Sequence, residues 1–272
     1  MRSIWVLNEK GGTGKTTIST VLADHMLATG APVRIVDADT QPDQQGRSSL
    51  GAFCPSAGRI DIGVAPEALM AKPSLAMAHW DGLFEMAKSS DMLADFGANV
   101  ANSLIYWYDE SEVGVRMARA GIHLDVVLVT TAHPDAVSDT LALIKRLRNG
   151  LPAGASRLFV ALNSGHGDFS SYADSAEMAE FASLQDAGVL TLLTVPMCTS
   201  EIWRDVERNR LTALAAASMS SEELVSRLGT PELETSLEVA LSALTSALVF
   251  LESDATGRGE GGFGTADMDR WI

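Results

Sequence analysis

The sequence predicts an α/β fold in the doubly wound class, a mostly parallel sheet flanked by helices. Short apolar runs alternate with stretches of helical periodicity along most of the chain, the pattern of repeated βαβ units. A glycine-rich loop stands between the first apolar run and the first helical stretch. The 272 residues, 46% hydrophobic and 20% charged, suit one large domain with a substantial core. Strands are expected at residues 3–7, 33–36, 91–95, 122–129, 157–162 and 189–195. Helices are expected at 15–28, 74–87, 103–120, 134–148 and 233–250, with shorter helical stretches after Ser170 and Thr199. Between 41 and 66 the pattern breaks into Gly, Pro, Ser and polar residues, which predicts a long loop. After Glu252 the chain turns glycine-rich and charged, so 1–252 is expected as a single domain and 253–272 as a flexible acidic, glycine-rich tail.

Composition excludes some roles and disfavours others. A formal net charge of −15 repels polyphosphate backbones on average, so DNA binding would need a local basic patch. The best candidates for one are Lys145, Arg146 and Arg148 with Arg204, Arg208 and Arg210. No apolar run approaches the ~20 residues needed to cross a bilayer, and no basic amphipathic helix ends the chain, so no membrane role is expected. The first residues run straight into a strand and its glycine loop, leaving no room for a secretory signal, and the protein is expected to be cytoplasmic. Cys54 and Cys198 lack metal-type spacing, which disfavours zinc and iron–sulfur frameworks. The histidines at 25, 79, 123, 133 and 166 form no pair at metal-binding helical spacing.

The chemistry is concentrated in Asn8-Glu9-Lys10-Gly11-Gly12-Thr13-Gly14-Lys15-Thr16-Thr17. It follows an expected strand and opens an expected helix, the context a phosphate loop requires. Gly11, Gly12 and Gly14 let the backbone turn tightly and aim the N–H groups of 11–17 at phosphate oxygens. The positive end of the helix from Lys15 adds attraction for anions. Lys15 can reach the β- and γ-phosphates, and the Thr16 hydroxyl can ligate Mg²⁺. The plain phosphate-loop pattern wants glycine at position 9, where this chain has Glu9, and it carries an extra lysine, Lys10, before the glycine pair.

That variant, K-G-G-x-G-K-[ST], resembles the deviant Walker A loop of the ParA/MinD family of P-loop ATPases. The resemblance runs through residues 2–210 in motif order and is most specific in the first 40. It implies that Lys10 reaches across an ATP-sandwich homodimer to the partner subunit's phosphates. Arg34-Ile35-Val36-Asp37-Ala38-Asp39-Thr40-Gln41-Pro42 resembles the family's D-x-D switch, normally continued by Pro-Gln. It implies that Asp39 positions the attacking water and that Asp37 supports the metal shell or the switch backbone. Asp91-Met92-Leu93-Ala94-Asp95 resembles a Walker B strand, in which Asp95 holds Mg²⁺ through a water. Many relatives have prolines after this aspartate, where this chain has Phe96-Gly97-Ala98-Asn99. Asn163, ending an apolar strand, and Pro196, ending the next, match the base-binding region. An amide can both donate to and accept from adenine, though Asn163 also suits a plain turn.

The resemblance implies a partner-stimulated ATPase that dimerises with ATP, in plasmid or DNA partition or in positioning a cargo complex. Two other readings stay open. A ligase of the dethiobiotin-synthetase type would phosphorylate a small substrate, and such enzymes generally lack a lysine at position 10. A non-hydrolysing scaffold would only be gated by nucleotide.

Overall fold

The computed structural model describes residues 1–28, 30, 32–38, 50–54, 58–59, 73–197 and 203–228. Its centre is a sheet of seven parallel strands: β1 (Arg2–Leu7), β2 (Val33–Ala38), β3 (Gly58–Arg59), β4 (Asp91–Phe96), β5 (His123–Thr131), β6 (Ser156–Asn163) and β7 (Thr191–Val195). Their order is β3-β2-β4-β1-β5-β6-β7. The described helices are α1 (Lys15–Ala28), α2 (Leu50–Phe53), α3 (Pro73–Ala87), α4 (Ala98–Glu110), α5 (Val113–Arg119), α6 (Pro134–Leu147), α7 (Ala176–Asp186), α8 (Trp203–Arg208), α9 (Ala213–Ser218) and α10 (Ser221–Leu228).

The strands are apolar on both sides because both faces of the sheet are covered. Alternate residues of β1 show the division. Trp5 and Leu7 enter a core with Phe96 of β4 and with Trp80, Trp107 and Ile144 from the α3–α6 layer. Ile4 and Val6 enter a second core with Ile18, Leu22, Val206 and Leu224 from the layer of α1, α8 and α10. This is the doubly wound α/β fold that the alternating pattern predicts, in the P-loop NTPase form that the resemblance implies.

Two expectations change. The single helix expected over 103–120 starts five residues earlier, after Gly97, and breaks at Glu112, whose backbone is left-handed at φ 46°. Packing overrides periodicity here. Gly114 lies so close to the Gly150 carbonyl that a Cβ would collide with it, and the break lets α5 dock there with Val113 and Met117 buried. The loop expected at 41–66 contains the turn of helix α2, with Leu50 buried, and strand β3, paired to β2 through Val36 and Asp37. The rest of that loop lies outside the described residues, as do the helix expected at 233–250, the tail 253–272, Cys198 and Asp39.

The start of the sheet holds a buried charge cluster. Asp125 on β5, with a side chain 1% exposed, accepts hydrogen bonds from Arg2 Nε (2.6 Å) and from Arg157 Nε and Nη2 (2.8 and 2.9 Å), and His123 Nε2 lies 3.1 Å away. Burial alone would raise the Asp125 carboxyl, but the two arginines outweigh it and hold it below the usual carboxylate range. The stability this contributes is present above the unfolded carboxylate value, about 3.9, and is lost as pH falls through the depressed folded value. Asp125→Asn should lower stability by about 3 kcal/mol at neutral pH, the low end for a broken buried pair because both arginines keep some access to water. Urea unfolding at pH 7 and near pH 3 checks this, with the difference between the proteins shrinking at the lower pH.

Candidate functional site

All strands run the same way, so their carboxyl ends share one edge. The first loop leaves β1 between β4 and β5, where the chain connections diverge to the two halves of the sheet. Gly12 (φ 74°) and Gly14 (φ 90°) adopt left-handed backbone that only glycine takes without strain, and this coils the loop back onto the start of α1. Gly11 and Gly12 are exposed and face open space, so their backbone N–H groups are accessible to an anion. Lys15 begins α1, is largely buried, and its ammonium donates to the Lys10 carbonyl (2.9 Å) across the mouth of the loop. Thr13 is buried, and its hydroxyl has no partner among the described residues.

The loop is braced from both sides by asparagines. Asn8, buried at the end of β1, donates to the Val129 carbonyl (2.6 Å) and to Thr140 Oγ1 (3.0 Å), and its Oδ1 accepts from the Lys10 N–H (2.9 Å). Asn163, ending β6, donates to the Thr13 carbonyl (2.9 Å) and accepts from the Gly165 N–H (3.0 Å). This leaves one N–H and one lone pair of its amide for another partner. Pro196 follows β7, whose last residue, Val195, pairs with Asn163. Asn163 and Pro196 therefore lie side by side at the same edge.

Asp95 is the penultimate residue of the Walker B-like strand and is 2% exposed. Its Oδ2 accepts from the Thr16 hydroxyl (2.8 Å) and its Oδ1 from the Ser19 hydroxyl (2.9 Å). Asp37 on β2 stands in register with it across the β2–β4 pair and accepts from the Gly51 N–H (3.3 Å). Burial pushes the Asp95 carboxyl up to about 6. The hydroxyls of Thr16 and Ser19 and the Lys15 charge pull the other way, and Asp37 adds to the rise. A cation is therefore favourable beside it. The donor set fits magnesium: one hydroxyl and one carboxylate side by side at the phosphate loop suit an ion that keeps several waters and takes phosphate oxygens. Among the described residues no cluster of three or more His, Cys, Asp or Glu side chains forms a metal cage.

Lys10 makes its side-chain contacts with the turn from β5 into α6 rather than with its own loop among the described bonds. Its Nζ lies 3.2 Å from His133 Nδ1 and 3.8 Å from Asp135 Oδ2, on the turn from β5 into α6, with its side chain 33% exposed. Thr17 lies in the first turn of α1, and its carbonyl accepts from the Thr20 hydroxyl. The structure thus gathers Lys10–Thr17, Asp37, Asp95, Asn163 and Pro196 on one edge, and Asp39 immediately follows β2 but lies outside the described residues. The sequence reading gave no role to Asn8 or Ser19. For Ser19 the signal was a hydroxyl within the apolar stripe of α1.

A Cβ at Gly14 would collide with the Asn163 amide, besides being strained at φ 90°. Gly14→Ala should cost about 2–4 kcal/mol, from ~1–2 of backbone strain and the remainder of overpacking. In an Asn163→Ala background only the strain should remain. A double-mutant cycle by denaturant unfolding tests this, and a cost unchanged by removing Asn163 would contradict the contact.

Residues 1–52 match a family model described as an AAA domain. No curated protein sequence matches the chain. Among solved structures, the MinC:MinD cell division protein complex of Aquifex aeolicus is similar over 97% of this chain and 99% of that one, at 11% identity and a TM-score of 0.50. The ATP complex of McdA from Cyanothece covers 90% of this chain and 96% of its own, at 16% identity and a TM-score of 0.47. MinD with Mg-ADP from Pyrococcus horikoshii covers 96% and 100%, at 15% identity and a TM-score of 0.49. The N-terminal segment thus matches an AAA-domain model, and the fold is that of the MinC:MinD structure over nearly the whole chain.

Proposed function

We propose that this protein is an ATP-binding, slowly hydrolysing ParA-like ATPase that acts as an ATP-dependent dimerisation switch, in plasmid or DNA partition or in positioning a cargo complex. The observation that carries this reading is the division of labour between two lysines. Lys15 is folded over its own loop, whereas the Lys10 ammonium pairs with His133 and Asp135 on the β5–α6 turn and stays partly exposed. A lysine so placed suits phosphates held by a second copy of the chain, much as an arginine finger is supplied in trans.

In this reading the N–H groups of 11–17 and the Lys15 ammonium bind the β- and γ-phosphates, and Asn163 and Pro196 flank the adenine. Thr16 and Asp95 hold magnesium, Asp95 through a water, with Asp37 supporting the metal shell or the switch backbone. The ion neutralises phosphate charge. Asp39, directly after β2, orients the attacking water. Hydrolysis, accelerated by a stimulating protein, then separates the two copies.

DNA is the less supported surface. Lys145 pairs with Glu180 (2.9 Å), Arg146 lies near Glu9 and Asp109 (3.5 and 3.8 Å), and Arg208 pairs with Asp205 (2.6 Å), so these groups form no bare positive patch. No helix among the described residues is long and apolar enough to cross a membrane.

Light scattering with ATP and with ADP tests the switch. The unaltered chain should dimerise with Mg·ATP and return to monomer as ATP is consumed. Asp39→Ala should bind ATP and accumulate as dimer. Lys15→Ala should bind ATP about a hundredfold more weakly, the loss of a charged hydrogen bond worth about 3 kcal/mol. Lys10→Ala should bind ATP as a monomer. Monomer profiles in every condition would sink the switch, and turnover appearing only with an added metabolite would point to a ligase.

A further inference from the structure

The buried stripe of α1 includes Lys15, Ile18, Ser19, Leu22, Ala23 and Met26, and the interior wall it meets is otherwise apolar. Ser19 sits in that stripe at 0% exposure. A buried helical hydroxyl ordinarily turns back onto a carbonyl of its own helix, as Thr20 does onto Thr17 (2.7 Å). The Ser19 hydroxyl instead leaves its helix and donates to Asp95 Oδ1 on β4 (2.9 Å), while Thr16, one turn earlier, donates to Oδ2 (2.8 Å). The terminal torsion of an aspartate is broad and roughly two-fold, so a carboxylate held by one oxygen can swing. Held by both oxygens, it cannot.

We infer that Ser19 is a positioning residue for the metal: it fixes the plane of the Asp95 carboxylate independently of Thr16. The inference rests on the nucleotide-binding reading above and assigns a role to a residue outside the phosphate-loop motif. Thr16 has two tasks, donating its proton to Asp95 and offering a lone pair to magnesium. Ser19 has only the first. It therefore holds the carboxylate in the same orientation before and after the ion arrives, so that ion binding does not have to immobilise it. Asp37 stands in register on the neighbouring strand, so a second carboxylate lies on the same face of the sheet beside the one that Ser19 holds.

The test compares the unaltered protein, Ser19→Ala and Ser19→Thr by equilibrium binding of a fluorescent ATP analogue, once in EDTA and once over a magnesium titration, alongside the melting temperature of each nucleotide-free protein. Ser19→Ala should leave affinity in EDTA unchanged and raise the half-saturating magnesium concentration about tenfold, the lower range for loss of a group that orients a metal ligand. Ser19→Thr, which keeps the hydroxyl, should restore the magnesium requirement. An unchanged magnesium requirement in Ser19→Ala would overturn the inference. So would an equal loss of affinity with and without magnesium, which would make Ser19 a packing residue. If the unaltered protein itself binds no nucleotide in magnesium, the functional reading has failed, a result distinct from either.

Discussion

The site exists because β1 is hydrogen-bonded in parallel register to β4 on one side and β5 on the other. Parallel pairing prevents the chain from turning back by a tight hairpin, so each strand is followed by a crossover, and every carboxyl end falls on the same edge. Residues far apart in sequence are thereby delivered together: Asn8 from β1, Asp37 from β2, Asp95 from β4 and Asn163 from β6. The connection after β1 leads through α1 to β2 and the one after β5 leads through α6 to β6, so the loop after β1 lies where neighbouring connections run to opposite halves of the sheet.

Within that crevice, polar groups hold one another rather than waiting for a ligand to order them. Asn8 ties the loop to β5 and α6, Asn163 ties it to β6, and the hydroxyls of Thr16 and Ser19 tie α1 to β4. Each bond joins a flexible segment to a rigid strand or helix, which keeps a binding geometry within tolerance. The carboxylate at the centre is nonetheless held at a cost. Asp95 is buried beside Asp37, and that is the environment in which a cation is welcome and the empty site is less stable than it could be.

Most of this was legible in the sequence where local rules act alone. Lys15–Ala28 matched its expected helix because the glycine loop before it and the apolar periodicity within it agree there. The strand at 91–95 was found, one residue short, from its apolar run ending in a carboxylate. The helix at 103–120 misled because its periodicity continues through Glu112, and only the close approach of Gly114 to Gly150 explains the break. The braces were invisible for a similar reason. Asn8 and Ser19 look like an ordinary strand end and an ordinary helical serine until the fold brings Thr140 and Asp95 alongside. Asn163 was read as a base ligand or a turn residue from its strand-end position, while its contact with the Thr13 carbonyl spans 150 positions of sequence.

The aromatic residues are distributed unevenly between the two layers. Trp5, Trp80 and Trp107 cluster on the α3–α6 side, with Trp5 and Trp107 stacked 6.2 Å apart and Trp80 6.4 Å from Trp107. The glycine loop, Asp95 and α1 belong to the opposite side, where Trp203 is the tryptophan among the described residues. Intrinsic emission is therefore weighted toward one wall of the molecule, where three of the five tryptophans lie close enough to exchange excitation, and the melting of that wall dominates the signal over events at the glycine loop across the sheet.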